Sequence, residues 1–106
     1  MSGRPVLARW DDLPLENVTE MVARKAIAGA ELTLVQIYIK KGALVPRHAH
    51  AAEQFIYVLR GALQASVGDL TFTVREGDVL QVPAGLEHQA EALDDTFVFD
   101  IRRTEP

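Results

Sequence analysis

Cysteine is absent from this chain, which excludes disulfide staples, zinc–thiolate sites, iron–sulfur clusters and thiol nucleophiles together. A metal in such a protein must rest on nitrogen and oxygen ligands. Long apolar runs are also missing: no stretch free of Asp, Glu, Lys and Arg exceeds eight residues. That is too short to span a bilayer or to form the apolar region of a secretion signal, so a cytoplasmic protein with no membrane partner is expected. Positive charge is scarce, with 11 Lys and Arg against 15 Asp and Glu and a net charge of -4. A surface that tracks phosphates needs an excess of cations, so no nucleic-acid partner is expected either. Finally, 106 residues leave room for one core. The chain reads as a single domain over 1–106, with an N-terminal arm at about 1–19 and a body at about 20–102. At 48% hydrophobic and 25% charged residues, it has the apolar content to fold.

Glycine and proline punctuate the chain at short intervals, at Pro14, Gly29, Gly42, Pro46, Gly61, Gly68, Gly77, Pro83 and Gly85. The segments between them are rich in β-branched and aromatic residues, the pattern of many short strands joined by turns. An all-β sandwich or barrel follows. Strands are expected at 31–40, 53–60, 62–67, 70–75, 79–83, 87–93 and 96–102, with Gly68-Asp69 as a tight turn. Residues 15–28 carry partial helical spacing at Val18, Met21, Val22 and Ile27, but a strand over Glu20 to Ile27 fits better, because everything after it is β. Arg24-Lys25 and Lys40-Lys41 read as solvated strand ends. Phe72, Phe97, Phe99, Tyr38 and Trp10 read as core or pocket wall. The segments 42–61 and 77–92 share a layout, each a turn glycine, an apolar stretch and histidine, as in opposing hairpins of one barrel.

All three histidines lie in those two segments. On a strand, residues two apart share a face, so His48 and His50 can aim two imidazoles at one point. His88 follows the Pro83-Ala-Gly85 turn and enters the next strand. A lone histidine on a strand is usually a surface residue. Three of three at these spacings read as a metal-binding set.

These segments resemble the two motifs of the cupin superfamily. Gly42, His48, His50, Gln54 and Gly61 fit the first motif; Gly77, Pro83, Gly85 and His88 fit the second, with Ala92 standing where the motif carries Asn. The resemblance implies a six-or-more-stranded antiparallel β-barrel or jelly roll, the double-stranded β-helix of the RmlC-like cupins. It implies one divalent metal ion, whether nickel, iron, zinc, cobalt or manganese, held by His48, His50, Gln54 and His88. Glu53 and Gln54 are neighbours on a strand, so only one can face inward. The spacing to Gly61 favours Gln54. Ile56 and Val58 then point inward with it, and Phe55, Tyr57 and Leu59 point outward. An apolar outer stripe needs a cover, supplied either by another strand of the chain or by a homodimer partner; the dimer is the expectation.

Within the superfamily, the chain is most similar to the small cupins of pectin and alginate breakdown, which open unsaturated uronates to linear keto acids. It shares their run-in at Trp10-Asp-Asp-Leu-Pro-Leu-Glu16, the His-x-His-x-x-Glu-Gln element, and Ala-Glu-Ala-Leu-Asp-Asp-Thr at 90–96 leading to Asp100. By that resemblance Asp100 is the catalytic acid/base. The structural alternative is a salt-bridged strand-end carboxylate near Arg102 and Arg103. The chain departs after Asp100: where the family continues Asp-x-Phe-Ser-Pro-x-Arg, this chain has Asp100-Ile-Arg102-Arg103-Thr-Glu-Pro106. Arg102 or Arg103 is then a candidate for a substrate carboxylate. The implied function is a metal-dependent lyase or isomerase acting on a small, anionic enolic or sugar-acid substrate. A metal-dependent dioxygenase of a small chelating substrate and a non-catalytic small-molecule-binding cupin are the alternatives.

Overall fold

A computed structural model describes residues 3–104. Ten strands follow a short 3₁₀ turn at Trp10–Asp12: β1 (Glu16–Asn17), β2 (Val22–Ala28), β3 (Leu32–Ile39), β4 (Leu44–His48), β5 (Gln54–Arg60), β6 (Ala62–Val67), β7 (Leu70–Arg75), β8 (Val79–Val82), β9 (His88–Ala92) and β10 (Thr96–Arg103). Residues 15–28 form no helix; the strand reading holds, and the arm adds the two-residue β1 beside β2. Arg24 and Lys25 lie inside β2 rather than at its end. Arg24 pairs with Glu16 at 3.2 Å, and Lys25 Nζ donates to the Trp10 carbonyl at 2.7 Å.

The strands form two antiparallel sheets, a six-stranded one in the order β1-β2-β3-β10-β5-β8 and a four-stranded one in the order β4-β9-β6-β7. Neither returns to its first strand, so the closed barrel expected from sequence is not formed. The fold is a cupin-like sandwich with open edges. Its winding explains this: from β3 onward the chain changes sheet at every connection except the β6–β7 hairpin, so ladders run across the two segments rather than around a ring. β4 pairs with β9 and β5 with β8, which makes 42–61 and 77–92 interleaved partners.

The core lies between the sheets. Ile39, Val58 and Val98 of the larger sheet meet Leu63, Ala65, Val74 and Ala92 of the smaller. Burial of each fully enclosed valine, such as Val58 or Val98, contributes about 1.5–3 kcal/mol. The burial pattern on β5 follows strand parity, with Gln54 and Val58 buried while Phe55 and Tyr57 are exposed. Leu59 is half-buried beside the register shift between β5 and β10.

The aromatic residues depart from expectation. Tyr38 and Phe72 are exposed, and outside the main core Tyr38 stacks on Phe97 and Trp10 on Phe99, with Phe97 and Phe99 tilted against each other. Strand parity is the cause: in β10 the odd positions Phe97, Phe99 and Ile101 face away from the side that carries Val98 and Asp100. No helix among the described residues is long and apolar enough to cross a membrane.

Candidate metal centre

The site lies at one end of the sandwich, where β4 and β9 of one sheet face β5 and β10 of the other. His48 ends β4 and His88 opens β9, and the two are direct cross-strand partners. The β4–β9 register shifts between Val45 and His48, at Pro46. Proline has no N–H for the ladder, so the strand bulges there. The Pro46 carbonyl is then free to accept a hydrogen bond from His48 Nδ1 at 2.8 Å.

His50 does not share a strand with His48, as parity had suggested; it sits in the loop after β4. Two hydrogen bonds hold it. The Gly85 amide donates to the His50 carbonyl at 2.8 Å, and His50 Nδ1 donates to the Ala52 carbonyl at 2.9 Å. Gly85 makes that turn at φ +75°, a conformation L side chains rarely adopt. The Pro-x-Gly turn of one segment thus fixes a histidine of the other.

His88 repeats the arrangement, with Nδ1 donating to the Leu86 carbonyl at 2.9 Å. A carbonyl can only accept, so all three Nδ1 atoms carry the proton and all three Nε2 atoms keep a lone pair. The ring centroids are 4.3 Å apart for His48 and His88, 4.9 Å for His50 and His88, and 5.6 Å for His48 and His50. One ligand atom from each lies within 4.8 Å of the others. The Nε2 atoms of His50 and His88 are buried without a hydrogen-bond partner. Buried polar atoms left bare are costly, and a divalent ion supplies what all three need. Burial, above all, pushes His88 below the ordinary imidazole value of 6.5; the Leu86 hydrogen bond opposes this, and His48, His50 and Arg102 add smaller contributions in the direction of burial, which favours the neutral, ligating form.

Gln54, Asp100 and Arg102 reach the same place from the larger sheet. Gln54 is buried and its Oε1 has no partner, while Glu53 points away and accepts a 2.7 Å hydrogen bond from Gln81. The amide, not the carboxylate, faces inward. Asp100 is the most deeply buried charged residue among those described; its Oδ2 accepts from Arg102 Nη2 at 2.8 Å and its Oδ1 has no partner. Arg102 is also the cross-strand neighbour of Gln54. His48, His88, Gln54, Asp100 and Arg102 line one cavity of about 140 Å³, whose remaining wall is mostly aliphatic, including Ile37, Leu63, Leu80 and Val98. Tyr38, Phe72, Phe97, Phe99 and Trp10 do not line it.

The sequence reading left Arg102 and Arg103 equal. The structure separates them: Arg102 shares the inward face with Asp100, whereas Arg103 is exposed. Position i+2 on a strand was the signal available for that assignment. A His-based site able to coordinate a divalent ion is present, beside a largely apolar cavity that also holds one ion pair.

Among curated proteins none matches the chain by sequence. Solved structures match its fold. KdgF from Halomonas superposes with a TM-score of 0.89 at 24% identity, covering 97% of this chain and 96% of that one. An RmlC-like cupin from Shewanella frigidimarina gives 0.88 at 23% identity over 96% and 93%. The cupin domain of Schizosaccharomyces pombe Cnp3 gives 0.80 at 15% identity over 96% and 76%. A cupin-domain family profile covers residues 35–100, from the inward β3 residue Val35 through all three histidines to Asp100. The chain belongs to the cupin domain family.

Proposed function

We propose that this protein is a metal-dependent lyase or isomerase that opens a small unsaturated uronate-type substrate. One observation carries the reading: three imidazoles cluster with the Nε2 atoms of His50 and His88 buried and unpartnered, and His48 and His88 of that cluster line a small cavity with a buried carboxylate that has one free oxygen. His48, His50, His88 and Gln54 are the ligands in this reading. Three imidazoles and an amide are all neutral, so a bound divalent ion keeps its full charge and supplies Lewis acidity toward an anionic or enolic oxygen. The likeness in shape to KdgF and the uronate resemblance of the sequence support the same substrate class.

Asp100 is the acid/base. Its Oδ1 accepts the proton of the anomeric hydroxyl; the bond from the anomeric carbon to the ring oxygen breaks, and its electron pair stays on that oxygen as an enolate. The proton returns to the enolate carbon, which yields the linear keto acid. No atom or electron is added or lost, so no oxidant is required. Outside the cavity, Phe55 and Tyr57 form an apolar face that a second copy covers in a homodimer.

The test uses purified protein of measured metal content with an unsaturated monouronate, followed by loss of the enol-ether ultraviolet absorbance while an electrode records oxygen. Absorbance should fall without oxygen uptake, and Asp100→Asn should lower kcat about 10²- to 10⁴-fold with metal content unchanged. Coupled oxygen uptake would establish the dioxygenase instead. Tight binding without turnover would establish a binding protein.

A further inference from the structure

We infer that Arg102 is the carboxylate-recognition residue of this cavity, and that it holds a ligand carboxylate and Asp100 on different nitrogens of one guanidinium. The inference deepens the uronate reading and rests on it for the identity of the acid. Its starting point is the charge inventory of the cavity wall. Asp100 is the sole carboxylate there and Arg102 the sole permanently charged cation; the other polar groups are His48, His88, Gln54 and Gln89. An anionic ligand that enters meets one fixed positive side chain.

Arg102 is only partly committed. Nη2 donates to Asp100 Oδ2 at 2.8 Å, while Nε and Nη1 bond to nothing among the described residues. Guanidinium is a planar group of five donors that favours carboxylates, so the unused Nε–H and Nη1–H are ready to donate to a second carboxylate. The exposures run in the same direction: the Arg102 side chain is 26% exposed and that of Asp100 is 2%. Arg102 therefore meets solvent-borne ligand, and Asp100 lies behind it.

The shared guanidinium also has a geometric consequence. Asp100 keeps Oδ1 free because Oδ2 is pinned, and the pin is the group that holds the ligand carboxylate. A carboxylate held by the free donors of Arg102 is thus brought beside a free carboxylate oxygen at a separation fixed by a rigid group. For a substrate that must lose or take up a proton near its own carboxylate, one arginine sets both the anchor and the distance to the base. Arg103 has no such place, since it is exposed at the end of β10.

The experiment compares D-galacturonate with its uncharged methyl ester by calorimetric titration of the metal-containing protein. Wild type should favour the acid by about tenfold or more, the range of a hydrogen bond to a charged group. Arg103→Gln should keep that preference and Arg102→Gln should abolish it. Arg102→Gln strands Asp100 without its partner, so the double variant Asp100→Asn/Arg102→Gln is measured beside it. That variant replaces the ion pair by two neutral amides and should also show no preference. A wild type that binds acid and ester alike overturns the assignment. So does a folded Arg102→Gln or double variant that retains the preference, because the carboxylate then rests on the metal or elsewhere. Binding of a saturated uronate requires no turnover, so a failed activity screen and a failed Arg102 assignment give separate results.

Discussion

A histidine becomes a metal ligand when something fixes its tautomer, and here three backbone carbonyls do so. Pro46, Ala52 and Leu86 each take an Nδ1 proton within 2.9 Å, and each lies two residues from the ring it orients. Such short-range orientation costs little chain entropy and leaves every Nε2 ready. Beside them the choice between Glu53 and Gln54 decides the charge of the site, because the carboxylate is spent outside on Gln81. Removing an imidazole should therefore matter far more than removing that carboxylate. In chelator-free preparations, His48→Ala should lose stoichiometric divalent metal while Glu53→Ala retains it, as elemental analysis would show. Unchanged metal in His48→Ala would sink the ligand assignment. The histidine spacings and the Gln54 parity were visible in the sequence because both are local. The Asp100–Arg102 pair was not singled out: the i+2 parity that favours Arg102 over Arg103 carries weight only once Asp100 is known to face inward.

At the scale of elements, the hinge of the design is the single residue between β5 and β6. Gly61 joins the strand that carries Gln54 in one sheet to a core strand of the other, at φ +86°. A Cβ there would collide with the Asp95 carbonyl and with Thr96, whose hydroxyl ties β10 to β6 by donating to the Ala62 carbonyl at 3.1 Å. Gly42 has nearly the same φ, +85°, but open space where its Cβ would go. The two motif glycines therefore differ. Gly61→Ala should destabilise by about 2 kcal/mol or more and Gly42→Ala by about 1 kcal/mol, strain alone accounting for the latter. Thermal unfolding reads the difference as roughly 4–8 °C per kcal/mol for a domain of this size. Equal losses would show that packing around Gly61 relaxes. Strand legibility follows the same division between local and distant causes. β6 and β7 lie where the pattern around Gly68-Asp69 placed them, because a hairpin is specified by its own residues. β4 was obscured by Pro46, and the loop position of His50 depends on Gly85, which is far away in sequence.

For the whole molecule, two faces of one sheet have divided the apolar residues between them. The inward face of the six-stranded sheet builds the core and cavity, yet its outward face still presents Tyr38 at 42%, Phe55 at 41%, Tyr57 at 36% and Ile101 at 36% exposure. β5 and β10 are neighbours, with Phe55 opposite Ile101 and Tyr57 opposite Phe99, so these side chains form a continuous patch rather than scattered contacts. Sequence parity showed the stripe on β5 but not its breadth, which arises from the pairing of β5, β10 and β3. Among the described residues no further layer covers that face; Trp10 stacks on Phe99 with centroids 5.9 Å apart and leaves Phe55 and Tyr57 exposed. In the proposed homodimer a second copy would cover this patch, and two-fold symmetry would let the same apolar strip serve both partners. Such a contact must bury on the order of 1,000 Å² to persist, which needs the aromatics of β5 and β10 together. Sedimentation at micromolar concentration should therefore give twice the 11.7 kDa chain mass. Phe55→Glu with Tyr57→Glu should shift it to the monomer while metal content stays constant, because both residues point away from the cavity. A wild-type species at the single-chain mass would leave the face uncovered and overturn the dimer.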